Sequence, residues 1–332
     1  DSNSIIRNVF YVGMSFAGYD LEKLSDEVKT IQVAPIAINN NGTISNALVQ
    51  INSIKAESAD VAGMVINNNG TINTASVYAT LEGRNVGGVM INNKATAEVS
   101  NVGFYGKVIA AVGKILPNGA QLNTIGGAGF VVNNEGKIEN SFAIGDIDDN
   151  DKSFVSVTAE QLSGIYAGGF VAINSGSITN SYSGEFTLNN IIATVTANGN
   201  NAYAGGFVGY NDGAIESSYS TNEGAGSIAG GFAGFNGNSA SIISSYSTGG
   251  ARNSDENSDR GAFVGRNEGT NNIVNCASYS RDGRDNKAVA GVTSTDSLEE
   301  IVGILYGENE AKMGMVEEEN GSRRYRNPII KG

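Results

Sequence analysis

The sequence predicts an all-β protein, a parallel β-helix (β-solenoid) of about 8–12 coils with a short cap at each end. Three observations carry this. The phrase G-G-F-V-x-x-N-x-G-x-I-x-x-S-Y-S recurs, most cleanly from Gly205 to Ser220. The copies read as short apolar runs rich in Val, Ile, Phe and Tyr with glycine punctuation, and none is long enough for a helix. The shortest spacing between copies, 25 residues, fits one coil. A unit this small has one hydrophobic face and buries it only against its own copies. A β-propeller blade needs roughly 40 residues, and a β-sandwich does not repeat its sequence.

Aligned on the asparagine of the turn, the copies fall at Asn40, Asn68, Asn93, Asn134, Asn174, Asn211, Asn236 and Asn267. Four residues before each stands a large apolar side chain: Ile36, Met64, Val89, Phe130, Phe170, Phe207, Phe232 and Phe263. It follows a small residue, usually glycine, as at Gly129 and Gly206. After the asparagine comes an aliphatic: Ile44, Ile72, Val99, Ile138, Ile178, Ile215, Ile242 and Ile273. The last two copies carry two extra residues in this turn. Later copies add an aromatic at Phe142, Tyr182, Tyr219 and Tyr246. Stacked at ~4.8 Å, like residues form columns. The Phe, Ile and Tyr columns are expected to fill the core. The asparagines are expected to form an amide ladder from coil to coil. Asn-x-Gly is read as a turn in which asparagine tolerates left-handed backbone and glycine supplies positive φ.

The copies divide the chain into an N-terminal cap at 1–34, a solenoid at 35–285 and a C-terminal closing segment at 286–332. Residues 19–28 and 297–305 have the pattern of short amphipathic capping helices, the second opened by a Ser-x-x-Glu box. Longer intervals are read as insertions near 103–126, 144–166, 184–203 and 249–259. They emerge on one side of the coil, often the binding side of a solenoid.

These copies resemble the GLUG repeat, G-[LF]-x-G-x-N-x-G-x-I-x-x-[SC]-[YF]-[AS]. The match is close for Gly206 to Ser220 and for Gly231 to Ser247, and weak before residue 100. The resemblance implies a secreted or surface-exposed bacterial β-solenoid, of the kind found in the non-catalytic regions of IgA-cleaving metallopeptidases. It does not imply peptidase activity, because H-E-x-x-H needs histidines and the chain has none.

Composition narrows the chemistry. The formal net charge of −13 disfavours nucleic acid and anionic membrane as partners. Absence of histidine removes the usual general base, the Ser-His-Asp triad and most zinc sites. The lone Cys276 has a strand-like setting without a basic activator and reads as a small core residue. No apolar run approaches the ~20 residues of a membrane span. The chain opens at Asp1, as a mature or excised fragment is expected to. One oxygen-rich loop, with Asp146, Asp148, Asp149 and Asp151, is a candidate Ca²⁺ site, although it departs from the EF-hand pattern. No other cofactor is expected.

The reading is a non-catalytic adhesin, stalk or fibre module at the bacterial cell surface or outside the cell. Its partner would be a protein or glycan on a host or neighbouring cell, with end-to-end self-association as a further mode. The alternatives are the accessory region of a larger secreted protease, and a β-helix polysaccharide lyase or hydrolase. A hydrolase needs paired carboxylates, and Glu139 and Glu216 read as solubilising residues on an outer face.

Overall fold

The computed structural model describes residues 4–17, 31–112, 123–148, 150–159, 162–184, 192–252, 259–279 and 290–295, and the backbone of two strands at Met315–Glu317 and Arg323–Tyr325. Every regular element among them is a strand. Three parallel sheets run along the stack. In one coil, Ala59–Ala62 lies on a first narrow face, Val65–Asn68 on a second, and Thr71–Gly83 on a broad face. Each narrow face holds 8 strands, and the broad face holds 19 because its later strands are broken into pieces. The chain is a parallel β-helix.

The register sets like on like. Asn68 pairs with Asn40 and Asn93, Ile72 with Ile44 and Val99, and Tyr182 with Tyr219. Two extra residues occur in the third copy as well as the last two, since Val99 sits opposite Ile72. The Phe column stacks through the centre, with centroid spacings of 4.5 Å for Phe130–Phe170 and 4.9 Å for Phe170–Phe207, Phe207–Phe232 and Phe232–Phe263. Burying each such ring is worth about 1.5–3 kcal/mol. Ile138, Ile178, Ile215, Ile242 and Ile273 line the same core.

A bend that the repeat phrase conceals shapes the broad face. Asn8, Asn46, Thr74, Asn101, Asn140, Asn180, Ser217, Ser244 and Asn275 form a column in left-handed backbone, with φ between 48° and 57°. Each lies two residues after the inward-facing aliphatic position. In Thr71–Gly83 it breaks the in–out alternation, so Asn73 and Thr74 are both exposed before Ala75 turns inward. Asparagine, serine and threonine are small polar residues, and asparagine in particular tolerates this conformation.

The Asn-x-Gly turn works differently from the expectation. The ladder asparagines are not among the residues with positive φ, and neither is Gly213. Its glycine is required by close approach instead: a Cβ there would collide with the carbonyl oxygen of Gly176 on the preceding coil. The asparagine Oδ1 closes the turn by accepting the N–H two residues on, at 3.3 Å from Gly213 to Asn211.

The boundaries also shift. Ile5–Ala17 pairs with Thr43–Lys55, and Ile31–Val33 pairs with Ala59–Val61. Thus strands of the first coil lie within 1–34. At the other end Val292–Thr295 continues the broad face beside Cys276–Tyr279, and Met315–Glu317 pairs antiparallel with Arg323–Tyr325. The two expected capping helices lie outside the described residues. Much of the supposed insertions is coil: Ser153–Thr158 and Thr194–Asn198 are paired broad-face strands. Among the described residues the broad-face ladder is interrupted beside Asp146, between Gly145 and Val155.

Candidate binding groove on the broad face

The repeat residues spend their polar groups on one another. Asn134 Nδ2 donates to Asn174 Oδ1 at 2.8 Å, Asn174 to Asn211 at 2.8 Å, Asn211 to Asn236 at 2.8 Å and Asn236 to Asn267 at 2.8 Å. Asn40, Asn68 and Asn93 extend the ladder toward the N-terminus at 2.7–3.0 Å. Asn68, Asn93, Asn174, Asn211 and Asn236 are fully buried. A second asparagine row, which the repeat phrase does not reveal, runs along the outside: Asn133 donates to Asn92, Asn92 to Asn67, and Asn67 to Asn39. A serine column does the same for the backbone. Ser218 Oγ donates to Glu216 O at 2.9 Å and accepts from Ser181 N at 3.3 Å.

Cys276 takes the place of serine at the end of that column. Its sulfur lies 3.4 Å from Val274 O, and burial pushes its thiol up to about 11. This is a packed residue rather than a nucleophile.

The aromatic column departs from the expectation. Tyr182, Tyr219 and Tyr246 cluster apart from the main core, and Phe142 stacks on Tyr182. Tyr105 joins Phe142 edge to face at 5.1 Å, and Tyr78 stacks on Tyr105 at 4.7 Å with planes 6° apart. The result is a stripe of rings across the coils. Toward the C-terminal end it is covered, with Tyr219 2% and Tyr246 3% exposed, whereas Tyr78 is 42% exposed. Gly103 permits the crossing, because a Cβ there would enter the Phe142 ring.

Where the stripe is open there is a groove of about 630 Å³. Gln50, Tyr78, Tyr105 and Ile144 occupy one row of neighbouring strands, in direct register. Asn52, Thr80 and Asp146 also line the groove, with Gly106 and Gly145 among its small residues. Sequence reasoning assigned an aromatic position only to the later coils and missed Tyr78 and Tyr105, which stand two residues beyond that column. The signal was a tyrosine at the next outward position of the same strand, repeated one coil later.

The acidic loop closes the far end. Asp146 N donates to Gly106 O at 2.8 Å, and Asp148 Oδ1 accepts from the N–H groups of Asn150 and Asp151, each at 2.8 Å. Asp151 pairs with Lys107 and accepts from Ser153 N at 3.0 Å. The hydrogen bond from Lys107 holds the Asp151 carboxyl below its usual range, assisted by Ser153. Asp149 lies outside the described residues. Among the described residues no three His, Cys, Asp or Glu side chains converge as metal ligands, and Asp146, Asp148 and Asp151 are not brought to one point.

A comparison with protein families matches residues 200–223 to the GLUG motif. That stretch contains Asn211, Phe207 and Ile215, and the strand register carries its positions onto the neighbouring coils. The chain carries a GLUG motif in this coil. No curated protein and no solved structure matches it.

Proposed function

We propose that the chain is a non-catalytic display module of a bacterial cell-surface or secreted protein, an adhesin or stalk whose rigid solenoid holds a ligand-binding face away from its anchor. One observation carries the reading. The residues that define the repeat are committed to their own copies on adjacent coils, through the amide ladder, the Phe stack and the serine column. The motif is therefore an instruction for stacking. A partner would be read by positions that vary from coil to coil, such as the row that changes from Asn133 to Ile173 and Tyr210 and, past the buried Phe235, to Arg266.

The formal charge of −13 favours a partner that is neutral or basic. Antibodies raised against the purified chain test the placement. They are expected to label intact source cells or to detect the protein in the medium. A signal that appears only after lysis would overturn the reading.

A further inference from the structure

The groove on the broad face ends in an unfinished aromatic stack, and we propose that a neutral oligosaccharide completes it. This rests on the display reading and adds the site and the ligand class. Among the described residues Tyr78 is the last ring of the stripe. Its partner in register on the preceding coil is Gln50, so the stack of rings stops there. Tyr78 is 42% exposed, against 2% for Tyr219 within the covered part of the same stripe. A tyrosine face carries partial negative charge and attracts the slightly positive C–H face of a pyranose, as it attracts the edge of another ring. A sugar lying over Gln50 would add one more rung.

The rest of the groove suits the same ligand. It crosses the strands from Gln50 to Ile144, four levels of the sheet. At ~4.8 Å per level that spans about 14 Å, the reach of a short oligosaccharide. Asn52, Thr80 and Asp146 bring an amide, a hydroxyl and a carboxylate to the groove, which together donate to and accept from sugar hydroxyls. Asp146 also argues against an anionic sugar, and the nearby Lys107 ammonium is already engaged by Asp151. The loop is tied at Gly106 and at Lys107, so binding orders little. An extended peptide fits less well: Thr43–Lys55, Thr71–Gly83 and Glu98–Ala111 are paired on both sides, leaving no strand edge in the groove to extend.

The test is titration of the purified chain with cello-, manno-, xylo-, laminari- and chito-oligosaccharides. Calorimetry is one readout. Tyrosine emission is the other, free of tryptophan background because the chain has none. Saturable binding of at least one neutral oligosaccharide is expected. Tyr78→Ala is expected to weaken it about threefold to tenfold, the scale of one lost aromatic contact. Tyr78→Phe is expected to keep it. Gln50→Tyr should abolish it by filling the open rung from the protein's own side, and an unchanged urea midpoint shows that this variant is folded. Silence across the panel, or equal binding by Gln50→Tyr, overturns the proposal, as does preferential binding of polygalacturonate or heparin. The two readings fail separately. A silent panel with positive labelling of intact cells removes the groove ligand alone, and sugar binding by a chain found only inside cells removes surface display alone.

Discussion

A buried asparagine is tolerable only while both ends of its amide are occupied, and Asn174 shows how narrow that condition is. It is fully buried, accepts from Asn134 and donates to Asn211. Asn174→Ala therefore orphans the Asn134 N–H and leaves the Asn211 oxygen only its bond from Gly213 N. The orphaned donor is expected to cost about 1–3 kcal/mol, because it does not reach water. Asn133→Ala, one residue earlier on the outer row, removes a hydrogen bond whose partners can rehydrate. It is expected to cost within about 0.5 kcal/mol. Urea unfolding of the two variants makes the comparison, and equal costs would remove the energetic distinction between the ladders. Cys276 supplies a second residue-scale prediction. Its thiol is expected to resist alkylation at mildly alkaline pH until the chain unfolds. Between the ordinary thiol value and about 11 the unfolded chain releases a proton that the fold retains, so stability falls as pH rises through that window. Cys276→Ser should remove this dependence at a cost of about 1 kcal/mol or less, because Ser245 in the same column already donates to Ile243 O at 2.9 Å.

At the scale of the strand, the informative element is the broad face and the loop it carries. Lys107→Met is expected to release the acidic loop and to return the Asp151 carboxyl toward its ordinary value, read by NMR titration of the side-chain carboxyl. The sign follows from the direction of the shift. Asp151 is held low, so the tie is intact above the ordinary carboxylate range and is lost as pH falls through the lowered folded value. Amide protection at Ser153, which donates to Asp151, should fall with it. The Asn, Phe and Ile columns were legible in the sequence because the Phe keeps a fixed offset from the turn asparagine, the Ile shifts only by a two-residue extension of the turn, and each meets its copy in register. The broad face was not, for a geometric reason. The left-handed residue after each inward aliphatic places two exposed positions side by side, as at Asn73 and Thr74, and erases the period of two. Beyond that bend Tyr182 and Tyr219 pack in an aromatic cluster separate from the main core, although their spacing from Ile178 and Ile215 looks like continued core. Tyr78 and Tyr105 escaped notice because the early coils have an unbroken strand and carry the ring one outward position later.

The whole molecule is a one-dimensional stack in which each coil is held mainly by its neighbours, so its ends differ from its middle. Ile5–Ala17 is the outermost described strand of the broad face, and its pairing among the described strands is with Thr43–Lys55. It has 13 residues, enough for a long ladder on its outer edge. Its side chains are unusually apolar for solvent, with Ile5 57%, Phe10 66% and Val12 60% exposed. An edge of this length guarded by few charges is a template for another strand, and the strand best matched in length and register is the same one from a second copy. The expectation is reversible self-association through this end, seen as a concentration-dependent shift in sedimentation velocity. Val12→Lys should suppress it, because two copies meeting there would bring an ammonium into an apolar contact. The substitution should leave the interior coils untouched, since Val12 contributes to neither the amide ladder nor the Phe stack. A chain that stays monomeric at every concentration would show that this edge is covered. Association unaffected by Val12→Lys would place the contact elsewhere on the stack.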